Sequence, residues 1–349
     1  MDPPSRHTTT GGNTHPRRAY CLTLGDCGEN EIGMEIIGCS AVDGVSVHQL
    51  RTIQQGLVAK GVACELLDLA LLAGGTQKEV SEAAVLVVRG GVDALLQGSL
   101  QREADVLAEL DSMPKDTTGL TRGGKVHDKH ARHNNTMADY SQQPDIPNKK
   151  GTVVNFADYP ATKALRDAIR SLLGNAGVEW PSSTTPVGEL NDYYDADACG
   201  IGFHGDKERK IVIGARMGPG ADGLPLKFLW WHKCMPVGSE GVIDLNAGDV
   251  YIMSVKAVGT DSSKSSIHTL RHAAGRTGYS FAQMANHQAV KKRGAPIPAM
   301  RHWRGGAWSN PSAAATTTTV DDVADLAGST VVGPPHTDPS QVRANMVST

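Results

Sequence analysis

The stretch Asn191–Asp206, NDYYDADACGIGFHGD, decides the reading of this chain, together with IHTLRHAAG at residues 267–275. In an extended segment, side chains two apart share a face. His204 and Asp206, separated by Gly205, therefore present an imidazole and a carboxylate side by side. A second imidazole from a neighbouring strand, His272 or His268, completes a two-histidine, one-carboxylate set. Such a set covers one face of an octahedral metal and leaves the remaining positions open. His268 and His272 are four apart, so strand parity does not choose between them. His272 is preferred because Ala273, Ala274 and Gly275 leave room beside it, whereas His268 adjoins a polar turn.

Upstream, Asn191 and Tyr193 are alternate residues of one strand, so both can face one cavity. Downstream comes the hairpin VIDLNAGDVYIMS, residues 242–254. Asn191-x-Tyr193, then His204-x-Asp206-x-Glu208, then this hairpin resembles the pattern of the AlkB-like Fe(II)/2-oxoglutarate dioxygenases. The resemblance covers residues 185–280 and implies a double-stranded β-helix, or jelly roll, as a mainly β core. It implies Fe(II) held by His204, Asp206 and the later histidine, with 2-oxoglutarate hydrogen-bonded by Asn191 and Tyr193. It also implies O2 as oxidant and a substrate that is hydroxylated or oxidatively demethylated, an alkylated nucleobase among the candidates. An oxygenase acting on a protein or small molecule, and a binding protein that keeps the fold without turnover, are the alternatives.

The distal carboxylate of 2-oxoglutarate needs a cation, and a bidentate arginine matches its geometry best. The family's closing R-x-N-x-x-x-R strand has no counterpart after IHTLRHAAG. Arg276, next after the final histidine strand, is the first candidate, with Arg271, Arg216 and Lys291 as rivals. Trp230 and Trp231 must face opposite ways on one strand, and core packing is the expected role of the inward ring.

Around this core the sequence predicts disordered tails at residues 1–18 and 303–349, rich in Pro, Gly, Ser and Thr. Residues 19–111 are expected to be an α/β N-terminal extension. It would include a strand in AYCLTLGD and a helix over 46–60 with Ser46 as N-cap. Residues 112–150 read as a polar connector or lid. Within it Arg122, Lys125, Lys129 and Arg132 alternate with His127, His130 and His133. That run is either a solvated loop or a cationic clamp for phosphate or carboxylate. Residues 151–302 are expected to form the dioxygenase domain, with a buttressing helix over 162–173.

Lys and Arg number 34 against 37 acidic residues, so no global positive field favours nucleic acid, and binding would depend on a local patch. The six cysteines form no CxxC pair or zinc-finger spacing and read as reduced thiols of an intracellular protein. No apolar run reaches membrane-spanning length, so no membrane partner is expected.

Overall fold

The computed structural model describes residues 17–31, 33–121, 123–181, 185–275 and 298–310. Two β-sheets dominate it. The larger has eight strands. From edge to edge they are β4 (Cys64–Asp68), β5 (Ala84–Val88), β15 (Val250–Met253), β12 (Val212–Met217), β1 (Ala19–Gly25), β10 (Val187–Tyr193), β8 (His133–Ala138) and β9 (Val153–Asn155). The smaller sheet runs β11 (Ile201–His204), β16 (Thr269–Ala274), β13 (Leu226–His232), β14 (Met235–Ile243), β17 (Met300–Arg304) and β18 (Ala307–Trp308). Two short ribbons, β2 (Cys27–Glu29) with β3 (Ile36–Gly38) and β6 (Thr118–Leu120) with β7 (Val126–Asp128), flank them.

Alternation along the central strands divides the core in two. Tyr20, Leu22 and Leu24 of β1, with Ile213, Ala215 and Met217 of β12, face a layer of helices. That layer is α1 (Val47–Val58), α2 (Gly91–Leu95), α3 (Glu103–Ser112) and α4 (Pro160–Asn175). Ser46 caps α1 and exchanges hydrogen bonds with Gln49 as a capping box, an arrangement that contributes about 1 kcal/mol. On α4, Leu165, Ile169 and Leu173 recur at helical spacing and are fully buried, each contributing ~1.5–3 kcal/mol. A further short helix, α5 (Val255–Val258), follows β15. The opposite face of the large sheet, including Ala19, Tyr193, Val212 and Tyr251, packs on Leu226, Phe228, Trp230 and Leu270 of the small sheet. Trp230 thus points inward, donating from Nε1 to the Leu69 carbonyl at 2.8 Å. Trp231 points outward beneath the Arg271 guanidinium, 4.4 Å from its ring centre.

From β10 onward the chain passes from large sheet to small and back: β10, β11, β12, then the β13–β14 hairpin, then β15 and β16. Three expectations about the remainder need correction. Residues 19–111 are not an extension beside the core. β1 lies between β10 and β12 at the centre of the large sheet, and β5 pairs with β15. Residues 112–150 are not simply a connector, because β8 pairs with β10 inside that sheet. Nor does order stop at residue 303: Trp303 pairs with Trp308 across Gly305 and Gly306, both at positive φ. That is the backbone a two-residue hairpin turn demands, and a Gly-Gly pair supplies it without steric cost. The Trp308 indole donates to the Asp68 carbonyl at 2.9 Å, pinning the hairpin to β4. Residues 1–16 and 311–349 of the expected tails lie outside the described residues. No helix among the described residues is long and apolar enough to cross a membrane.

Within the cationic run 122–133, Lys129 is not part of a solvated loop. Arg122 lies outside the described residues. Lys129 is buried, its ammonium donating to Asn30 Oδ1 at 2.6 Å and Asn134 Oδ1 at 2.5 Å. Asn30 in turn donates to Asp116, which also accepts from Thr152. Lys129 therefore belongs to a hydrogen-bonded interior network rather than to a solvated loop. Burial lowers its pKa to about 8, from 10.5 for a free lysine. Between these values the unfolded chain holds more protons than the folded one, so this group adds stability as pH rises through the window. The stability difference between parent and Lys129→Met, measured by urea unfolding, is expected to shift in the parent's favour from roughly pH 8 to pH 10. A pH-independent difference would overturn this account.

Candidate metal centre

The small sheet places the centre. β11 and β16 run antiparallel with His204 opposite His272, and Asp206 follows two residues after His204. Their ring centroids are 4.4 Å apart. His204 Nε2 lies 3.4 Å, and His272 Nε2 3.6 Å, from Asp206 Oδ1. One donor atom from each of the three residues lies within 4.8 Å of the others. His204 Nδ1 is 2.8 Å from the Gly202 carbonyl. Donating there fixes the tautomer and leaves Nε2 as an acceptor for a metal. A Cβ on Gly205 would come within 2.1 Å of the Gly259 carbonyl oxygen, so only glycine lets the turn between the two ligands pack against that backbone.

Electrostatics prepare the same three groups. Burial opposes ionisation of Asp206, but Arg209, His272 and His204 outweigh it and hold the carboxyl well below the usual range. Burial, then the neighbouring His204, pushes His272 down to about 4, leaving it the neutral imidazole that metals bind. The buried Arg209 guanidinium pairs with Glu189, with Glu208 Oε1 at 2.9 Å and with Asp206 Oδ2 at 3.4 Å. Asp206 is thereby oriented while Oδ1 is left toward the histidines.

The centre opens into a cavity of about 590 Å³ between the sheets, a size suited to small-molecule ligands. Asn191 and Tyr193 both line it, as their spacing predicted. Asn191 is held at both ends of its amide: Oδ1 accepts from Arg132 Nε, and Nδ2 donates to Glu189 Oε1 at 3.2 Å. Cys21, Thr23, Tyr251 and Met253 complete the inner wall. The reading of motifs alone missed Glu189, Arg209 and Tyr251, whereas Arg132, singled out only as part of the cationic run, lines the cavity. Tyr251 and Glu189 were accessible to the period-two rule, being two residues from Asp249 and Asn191. Arg209 gave no local signal.

His268 is not part of the centre. Its ring lies tilted against that of His232, centroids 4.3 Å apart, just before the start of β16. Arg271 faces outward on Trp231 and donates to the Ser262 carbonyl, so it does not reach the cavity. Arg276 and Lys291 lie outside the described residues.

No family model matches the chain, and no solved structure matches it. A protein of Acanthamoeba polyphaga mimivirus, described as "Uncharacterized protein R156", is 35% identical over 264 residues, covering 75% of this chain and 97% of the viral one. The chain belongs to the family of that viral protein. Because almost the whole viral chain is matched, the family shares the extent of a complete protein and not a short motif.

Proposed function

We propose that this protein is an Fe(II)/2-oxoglutarate-dependent dioxygenase of the AlkB-like kind, built on a double-stranded β-helix. The observation that carries the reading is the His204–Asp206–His272 cluster at the wall of a cavity also lined by Asn191 and Tyr193. The alternating path from β10 to β16 between two facing sheets supports the fold. In such a path the next strand would return to the large sheet. Among the described residues, β1 holds the place between β10 and β12 that such a strand would take.

The donor set fits the metal. Two neutral imidazoles and one carboxylate suit Fe(II), and a three-ligand set leaves positions for other oxygen donors. When bound, iron supplies the activation of O2, with one oxygen atom going to the substrate C–H bond and the other to succinate as 2-oxoglutarate loses CO2. The protein's residues do the positioning. His204, Asp206 and His272 hold the metal, Arg209 orients the carboxylate, and Asn191 and Tyr193 offer an amide and a phenol to the co-substrate.

The test is succinate formation without an added substrate. Protein reconstituted with Fe(II) under anaerobic conditions, then given 2-oxoglutarate and O2, is expected to release succinate slowly, and only when iron is present. Tight binding of both iron and 2-oxoglutarate with no succinate released would overturn the catalytic reading in favour of a binding protein.

A further inference from the structure

Arg216 lies on β12 and is fully buried, yet none of its three guanidinium nitrogens has a hydrogen-bond partner. Its backbone is satisfied by Asp249, so the anomaly concerns the side chain alone. Buried charges are ordinarily paired, and an isolated guanidinium in an interior is costly. Its five N–H groups form a planar fork that matches a carboxylate.

Strand parity sets its direction. Ile213, Ala215 and Met217 face the helices, so Arg216 faces the space between the sheets, as Val212 does. Arg216 pairs directly with Cys21 of β1, and Cys21 with Asn191 of β10. The three side chains therefore form one row across the inner face, two of them lining the cavity. Burial holds the cavity-lining phenols of Tyr193 and Tyr251 well above the ordinary tyrosine range, and Arg216 is close enough to each to offset part of that shift. The Tyr251 hydroxyl is 3.3 Å from Cys21 Sγ, and its ring lies over Gly214, where any Cβ would collide with it. Gly214 thus makes room for the Tyr251 ring on the inner face, and the small Cys21 lies between Arg216 and the cavity-lining Asn191 in the row.

We infer that Arg216 is a built carboxylate-binding group, and that it receives the distal carboxylate of 2-oxoglutarate with help from the Tyr193 and Tyr251 hydroxyls. The inference rests on the proposed co-substrate and adds the residue that selects it. It also relocates the cation: with β1 in the closing position and Cys21 facing inward there, the arginine comes from the adjacent strand.

The experiment uses the full chain loaded with Mn(II) and no O2. Binding of 2-oxoglutarate is compared by calorimetry with binding of 2-oxobutyrate, which keeps the 2-oxo acid head but lacks the distal carboxylate. The parent is expected to prefer 2-oxoglutarate by about a hundredfold. Arg216→Met should erase that preference by weakening 2-oxoglutarate alone, leaving 2-oxobutyrate unchanged. Arg216→Lys, which keeps charge but loses the fork, should fall between them. Without ligand, Arg216→Met should melt above the parent, because an unpaired buried charge has gone. Undiminished 2-oxoglutarate binding by either variant overturns the inference, as does a lower melting temperature for unliganded Arg216→Met. Failure of the Mn(II)-loaded parent to bind either acid would instead overturn the co-substrate reading.

Discussion

His204→Ala, Asp206→Ala and His272→Ala are each expected to lose Fe(II) affinity by more than about a hundredfold, since even outer partners of metal ligands are worth 10–100-fold. The proteins should remain folded. His204 is about one-third exposed, and none of the three side chains belongs to the apolar clusters. Arg209 keeps Glu189 and Glu208 as partners when Asp206 is removed. His268→Ala serves as the control and should bind iron as the parent does, because its ring lies against His232. Anaerobic metal titration with far-ultraviolet circular dichroism on the same samples decides the matter. Parent-like affinity in His204→Ala, or loss in His268→Ala with retention in His272→Ala, would sink the assignment.

Deleting residues 1–26 is expected to abolish folding, and residues 151–302 expressed alone should not fold either. β1 is buried along its whole length and hydrogen-bonded on both edges, to β10 and to β12. Its three large helix-facing residues, Tyr20, Leu22 and Leu24, together contribute about 5–9 kcal/mol of burial. That is of the order of the whole stability of a domain, about 5–15 kcal/mol. Without β1 the strands on either side become exposed edges in the middle of the sheet, a template for aggregation. Cooperative thermal unfolding and native near-ultraviolet dichroism from the 151–302 fragment would refute this.

The contrast between these two expectations marks what the sequence made legible. The candidate ligands and the cavity-facing Asn191 and Tyr193 follow from period two within single strands, a local property. The capped helix after Ser46 and the strand in AYCLTLGD are local as well. Membership of β1 in the large sheet depends on pairing between residues 19–25 and residues 187–193 and 212–217, which leaves no mark on any short window. An N-terminal α/β texture therefore read as a separate extension. Lys129 misled for a related reason. Its flanking charges suggested solvent, while the asparagines that bury it come from residues 30 and 134. The Trp303–Trp308 hairpin was different, since the Gly-Gly turn signal was present and the polar residues around it obscured it.

The placement of β1 also sets the order of events during synthesis. A ribosome delivers β1 first, but both strands that flank it arrive only after residues 187–217 have been made. At 5–20 residues per second the segment waits roughly ten to forty seconds with its apolar faces unpaired. Vectorial folding from the N-terminus is closed to this topology, and the central ladder forms only by long-range closure, the slow class of folding contacts. The nascent N-terminal segment is thus expected to be a chaperone client until residues 187–217 emerge.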